Sequence, residues 1–241
     1  MGEMRKCEDE KFARSEALLG IEAMKRLAEA RVLVVGVGGV GSWCAEALVR
    51  TGVGKITLVD DDVVAESNVN RQCPATAATI GRPKVEAMAE RLKAINPGCE
   101  VEAICARYTS SSVSSLKSFD LVIDAIDSVD CKAELILGAT EAGVPIVSSM
   151  GAALRLDPTK VKVTRFEKVE GDGLARALRQ RFKKLGRFPK GKFGCVWSAE
   201  RAIEQPNNRT ILKGSIMPVT ATFGMCLASE TIKLLMKGET R

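Results

Sequence analysis

The chain has 241 residues, 46% hydrophobic and 27% charged, with a formal net charge of +6. That composition supports a folded domain with a sizeable core and excludes disordered and collagen-like classes. The chain holds no histidine, so Ser–His–Asp and Cys–His catalysis are excluded, as is any histidine-ligated metal.

In chain order, MGEMRKCEDE carries no apolar signal core, and a soluble, cytoplasmic protein without membrane contact is expected. Residues 16–29, EALLGIEAMKRLAE, repeat at helical spacing and lead into RVLVVG, an apolar run typical of a buried parallel strand. VVGVGGVGSW follows, with Gly36, Gly38 and Gly41 at the G-x-G-x-x-G spacing of a phosphate-binding turn, and then a helix through CAEALVR that stops at Thr51-Gly52. KITLVD is a second strand, and its terminal Asp60 can accept hydrogen bonds from ribose hydroxyls. This pattern reads as nucleotide binding and leaves open whether the ligand is a nicotinamide dinucleotide or ATP.

ESNVNRQ (66–72) and GRPK come next, the latter setting Lys84 in the first turn of a helix whose Val85, Met88, Ala89, Leu92 and Ile95 share one face. Hydride transfer needs few cations near its cofactor. Nucleotidyl transfer needs several, because charge builds on the α-phosphate and the departing pyrophosphate. Arg71 and Lys84 suit that task, with Asn68 as a polar positioner. EVEAICA, FDLVIDA and VPIVSSM are strands three to five, and VIDAIDS sets Asp124 and Asp127 at a strand's carboxyl end, where a carboxylate could hold magnesium.

Strands alternating with helices predict an α/β, Rossmann-like, doubly wound and mostly parallel sheet. After Met150, ALRL and KVKVTRF, split by Asp157-Pro158-Thr159, are expected to pair antiparallel and extend that sheet. One domain over 1–241 is expected, with a nucleotide-binding half (1–150) and a substrate and dimer half (151–241). Residues 174–194 carry Arg176, Arg179, Arg181, Lys183, Lys184, Arg187, Lys190 and Lys192 and no acid. The segment is partly helical in pattern. Either it is a solvated loop or it binds a polyanion, with Phe182, Phe188 or Phe193 stacking on unpaired bases. VTATFGMCLASETIKLLMK is interrupted by Glu230 and Lys233 and reads as a packing helix. The eight cysteines include no C-x-x-C pair, so they read as reduced apolar side chains, without zinc.

GVGGVGSW, VDDD, SNVNRQ, GRPKVE and DAIDS together resemble the adenylating domain of the ubiquitin-activating-enzyme-like superfamily, which includes the molybdopterin- and thiamine-synthesis adenylyltransferases. VGGVGSW, LVRTG, NRQ, VIDAIDSV and VTATFG resemble most the tRNA threonylcarbamoyladenosine dehydratase branch. The resemblance implies an ATP site in which Gly36, Gly38, Gly39 and Gly41 line the phosphate turn and Asp60 holds the ribose. It sets Ser67, Asn68, Arg71, Gln72 and Lys84 around the triphosphate, with Asp127, beside Ser128, organising Mg2+. It also implies a monovalent cation (Na+ or K+), a homodimer in which Arg14 reaches the neighbouring subunit's ATP, and a tRNA carrying threonylcarbamoyladenosine as substrate. A cysteine-desulfurase or sulfur-acceptor system is a further partner class.

The implied reaction is cyclisation through an acyl-adenylate, with Asp127, Arg71, Lys84 and Arg14 as its catalytic groups. The alternative is adenylation of the C-terminal glycine of a ubiquitin-like sulfur carrier. Such enzymes usually carry two C-x-x-C pairs; here Cys195 faces Lys192 at its partner position and the second pair is absent, so packing is its expected role. A nicotinamide-dependent dehydrogenase fits the glycine turn alone.

Overall fold

The structure is a computed structural model that describes residues 9–205 and 213–237. Two short helices, α1 (Ala13–Leu19) and α2 (Ile21–Glu29), precede β1 (Arg31–Val35), α3 (Gly41–Thr51) and β2 (Lys55–Val59). Then follow α4 (Lys84–Ile95), β3 (Glu100–Ile104), β4 (Leu121–Asp124), α5 (Val129–Ala142) and β5 (Ile146–Ser149). The second half contributes β6 (Val161–Arg165), α6 (Gly173–Leu185), β7 (Gly194–Ser198) and α7 (Met217–Lys237).

The strands form one seven-stranded sheet in the order β3-β2-β1-β4-β5-β7-β6, parallel throughout except where β6 runs against β7. Its inner strands are apolar runs because both of their faces are covered, whereas the edge strands β3 and β6 carry charged residues and stay largely exposed. Val32, Val34, Ile56, Leu58, Ile123 and Val196 point to the side of α3, α4 and α7. Leu33, Val35, Val59, Val122, Ile146 and Cys195 point to the side of α5 and α6. The chain order reverses between β1 and β4, and the loops leaving their carboxyl ends converge there, at the switch point where open α/β sheets bind ligands.

The antiparallel pair differs from expectation. ALRL forms no strand. Leu154 takes φ +60°, a left-handed conformation that breaks an extended run, and its N–H donates to Gly214 O at 2.9 Å. KVKVTRF instead pairs with β7, GCVWS, which lies between β5 and β6. α6 runs for 13 residues, its Asp172 cap accepting from Ala175 N at 2.8 Å, and buries Ala175, Leu178 and Phe182.

Among the described residues one helix, α7, is long and apolar enough to cross a membrane by length and composition. It packs along α3 and the sheet, burying Val219, Phe223, Leu227 and Leu235. The two helices approach closely at Gly224: a Cβ there would lie 2.6 Å from Val40 O and 2.8 Å from Trp43 Cβ. Helix propensity alone favours Gly224→Ala by about 1 kcal/mol, whereas the overlap costs about 1–3 kcal/mol. We therefore expect a net loss of stability in urea unfolding; an equal or raised midpoint would contradict the close contact.

Candidate active site

The glycine turn joins β1 to α3. Gly36 sits at φ +91°, and a Cβ there would be 2.6 Å from Ala125 O; one on Gly41 would be 1.8 Å from Gly36 O. Both positions demand glycine, and the turn is thereby pressed against the loop that leaves β4. Gly38 and Gly39 instead border side chains: their Cβ atoms would face Gln72 Nε2 at 3.9 Å and Arg71 Cγ at 3.3 Å. No side chain caps the start of α3 among the described residues; Ser42 N–H donates to Gly38 O at 3.2 Å, and the uncapped helix start still turns its positive end toward the glycine turn.

Asp60 closes the turn from β2. Its Oδ2 accepts from Val37 N at 2.6 Å and its Oδ1 from Asp62 N at 2.9 Å. Burial pushes its carboxyl above the ordinary value, against the pull of those two hydrogen bonds.

The 66–73 segment lies alongside. Asn68 is buried and its Oδ1 accepts from Ala65 N at 3.0 Å, holding the short turn that presents Arg71. Arg71 Nη1 donates to Ser67 O and Asn70 Oδ1, both at 2.8 Å, while its own carbonyl accepts from Trp43 Nε1 at 2.9 Å. Gln72 is buried beside Gly38, and its Oε1 has no hydrogen-bond partner among the described residues. Lys84 opens α4, is itself buried, and donates to Asp62 Oδ2 at 2.6 Å. Asn70 Nδ2 donates to Ser215 O at 2.9 Å, which brings the segment before α7 to the same rim.

The two aspartates of DAIDS have different fates. Asp124 has 0% exposure and forms an ion pair with Lys132 Nζ at 2.8 Å. It also accepts from Ser148 Oγ at 2.6 Å and from Ile126 N at 3.1 Å. It therefore offers no free oxygen to a metal, which corrects its expected candidacy. Asp127 is exposed in the turn between β4 and α5, without a hydrogen bond or ion pair among the described residues. Ser128 precedes α5, and its Oγ accepts from Arg107 Nη2 at 3.4 Å.

Arg14 is not brought to this site. It is exposed on α1, and the adjacent Phe12 approaches Gly52, about 16 Å along α3 from the glycine turn. The basic segment divides. Arg179 Nη2 donates to Phe166 O and Val169 O at 3.0 and 2.7 Å, Arg181 pairs with Asp130 at 2.8 Å, and Arg187 pairs with Glu141 at 2.8 Å. Arg176, Lys183, Lys184, Lys190 and Lys192 are exposed without an ion pair among the described residues. Phe182 and Phe193 cannot stack on bases, because both are buried in one aromatic cluster around Phe166; Phe188 alone of the three is exposed.

The seven described cysteines are free thiols, and Cys195 is fully buried on β7, where burial pushes its thiol up. That burial fits packing and not sulfur traffic. Lys132, Glu46 and Cys73 belong to no motif in the sequence. Lys132 carried the faintest signal, a charge amid the apolar run of α5.

A family model described as the ThiF family matches residues 12–241. The chain belongs to the ThiF family. It is 38% identical over 256 residues to the tRNA threonylcarbamoyladenosine dehydratase of Escherichia coli, covering 96% of each chain. It is 42% identical over 177 residues to the enzyme of the same name from Bacillus subtilis, covering 73% of this chain and 70% of the relative. A crystal structure of the Escherichia coli dehydratase in complex with ATP is similar at TM-score 0.87 and 40% identity, over 95% of this chain and 94% of that one. The glycine turn, the 66–73 segment and the DAIDS turn thus occur together on this ThiF-family fold.

Removing one member of the buried pair strands the other. Lys132→Met should cost about 3–5 kcal/mol in chemical denaturation, and adding Asp124→Leu should recover most of it. A wild-type midpoint for Lys132→Met alone would contradict the pairing.

Proposed function

We propose that this chain is an ATP-dependent enzyme that cyclises threonylcarbamoyladenosine in tRNA through an acyl-adenylate. The observation that carries this reading is the placing of Arg71 and Gln72 against the glycine turn, with Lys84 held by Asp62 next to the Asp60 that closes it, in a chain similar over 96% of its length to a tRNA threonylcarbamoyladenosine dehydratase. A carboxylate oxygen of the modified base attacks the α-phosphorus of ATP, and pyrophosphate leaves. The carbamoyl nitrogen then attacks the activated carbonyl carbon and loses its proton. AMP departs with the bridging oxygen, and a hydantoin ring remains. Both nucleophiles belong to the substrate, which suits a chain without histidine.

The chain's contribution is binding and electrostatics. The turn's amides and the open start of α3 receive phosphates, and Asp60, in contact with the turn, meets the ribose. Arg71 and Lys84 offset charge that grows on the α-phosphate and the pyrophosphate, Lys84 turning from Asp62 toward the nucleotide. Asp127, exposed and without a hydrogen bond among the described residues, supplies hard oxygen atoms that fit Mg2+, and bound there the ion would neutralise phosphate charge.

A homodimer belongs to this reading. α1 buries none of its own residues and leaves Leu18 83% exposed, as expected of a helix whose apolar side meets a second copy, with Arg14 carried to the partner's ATP. The exposed cations Arg176, Lys183, Lys184, Lys190 and Lys192, with Arg187, suit the phosphates of tRNA, and a cytoplasmic location follows from that substrate.

ATP–pyrophosphate exchange should rise with threonylcarbamoyl-modified tRNA and not with a glycine-tailed carrier protein; the opposite pattern would replace this reading with carrier activation. Asp127→Ala should lower AMP formation by about 100-fold or more with an unchanged circular-dichroism spectrum, and retained turnover would remove Asp127 from the site. Reversing Arg176, Lys183 and Lys184 to Glu should weaken tRNA binding at least about tenfold and flatten its salt dependence. An unchanged salt slope would return these residues to ordinary solvated surface.

A further inference from the structure

Behind the glycine turn, α3 carries a buried carboxylate that the reaction does not use. Glu46 is 6% exposed and collects donors from three segments. Arg91 of α4 donates from Nε to its Oε2 at 2.5 Å, Arg50 of α3 donates to Oε1 at 2.8 Å, and the Cys73 thiol donates to Oε2 at 2.8 Å. Cys73 directly follows Arg71 and Gln72. Its N–H donates to Ser42 Oγ at 3.1 Å, and the same hydroxyl donates to Gly38 O in the turn at 2.6 Å. With Trp43 bonded to the Arg71 carbonyl, positions 42, 43 and 46 of α3 all grip residues 71–73.

We propose that the Cys73–Glu46 hydrogen bond, braced by Arg91 and Arg50, is a strut that sets Arg71 and Gln72 against the phosphate turn. Cys73 and Glu46 are then positioning residues for ATP. This rests on the ATP reading above.

Packing alone would require neither a carboxylate nor a donor here, and a buried carboxylate is costly unless it is paired. A thiol is a weak donor to a neutral acceptor, but the acceptor is charged. Burial, then the hydrogen bond and charge of Glu46, push the Cys73 thiol up to about 12. Burial would raise the Glu46 carboxyl, yet hydrogen bonds from Arg91, Cys73 and Arg50, with the Arg91 charge, hold it at about 2. Donor and acceptor therefore keep their protonation states across neutral pH. The tolerance is small, because a Cβ on Gly39 would already stand 3.3 Å from Arg71 Cγ.

The test is calorimetric titration of the whole chain with ATP. Cys73→Ser keeps a donor and should bind ATP within about twofold of wild type. Cys73→Val and Glu46→Gln should weaken binding about tenfold while circular dichroism reports an intact fold. In an Arg71→Ala, Gln72→Ala background, Cys73→Val should add less than about twofold, because the groups it acts through are gone. Wild-type affinity in Cys73→Val, or an equal loss in both backgrounds, would overturn the strut and leave Cys73 as packing. A wild-type chain that binds no ATP would overturn the ATP reading as well, and that result is read before any variant is made.

Discussion

The ion pair between Lys132 and Asp124 governs the arrangement of the cleft. Both side chains have 0% exposure, so each charge depends on the other and on the hydrogen bonds around it. Lys132 Nζ also donates to Ile126 O at 2.9 Å, which ties the turn after β4 to the helix that follows. The pair thus fixes residues 124–128, and the glycine turn is pressed against Ala125 with no room for a side chain at Gly36. α3 starts from that turn and holds the 71–73 segment through Ser42, Trp43 and Glu46. The exposed Asp127 and the cationic Arg71 are therefore set by one continuous series of contacts that begins in the core.

Such a site works by charge placement. Without histidine, no imidazole can shuttle protons, and the nucleophiles come from the substrate. In the proposed reading, what remains for the protein is to receive phosphates on backbone amides, offset charge with Arg71 and Lys84, and hold these groups still. Preorganised groups of this kind give their stabilisation without reorganising during the reaction. The rigidity comes from buried polar pairs, each costly to leave unsatisfied, in a sheet whose two faces are covered by helices.

Much of this was legible in the sequence. β1, β2, β4 and β5 announced themselves as apolar runs because a parallel sheet buried on both sides leaves no polar alternation. α4 was framed by Pro83 and Asn96-Pro97-Gly98. The glycine turn and the cationic 66–72 segment are local in chain and in space. The misreadings share a different cause. β7 is five residues next to a basic loop, and only its contacts with β5 and β6 define it. ALRL has a strand-like pattern that Leu154 breaks by adopting φ +60°. In sequence Phe182 and Phe193 look free to stack on bases, because nothing local reveals that Phe166 gathers them into the core. Asp124 and Asp127 look equivalent three residues apart, and only the buried lysine separates structural from exposed. Cys73 and Glu46 lie 27 positions apart, with no periodicity to connect them.

The central chemical claim is that the substrate's carboxylate is joined to the α-phosphate of ATP. Its most direct measurement follows heavy oxygen from the threonyl carboxylate of the modified tRNA through one turnover. An acyl-adenylate predicts one labelled oxygen in the AMP released, alongside a nucleoside lighter by one water. Unlabelled AMP with the same cyclised nucleoside, or ADP and phosphate in place of AMP, would contradict it.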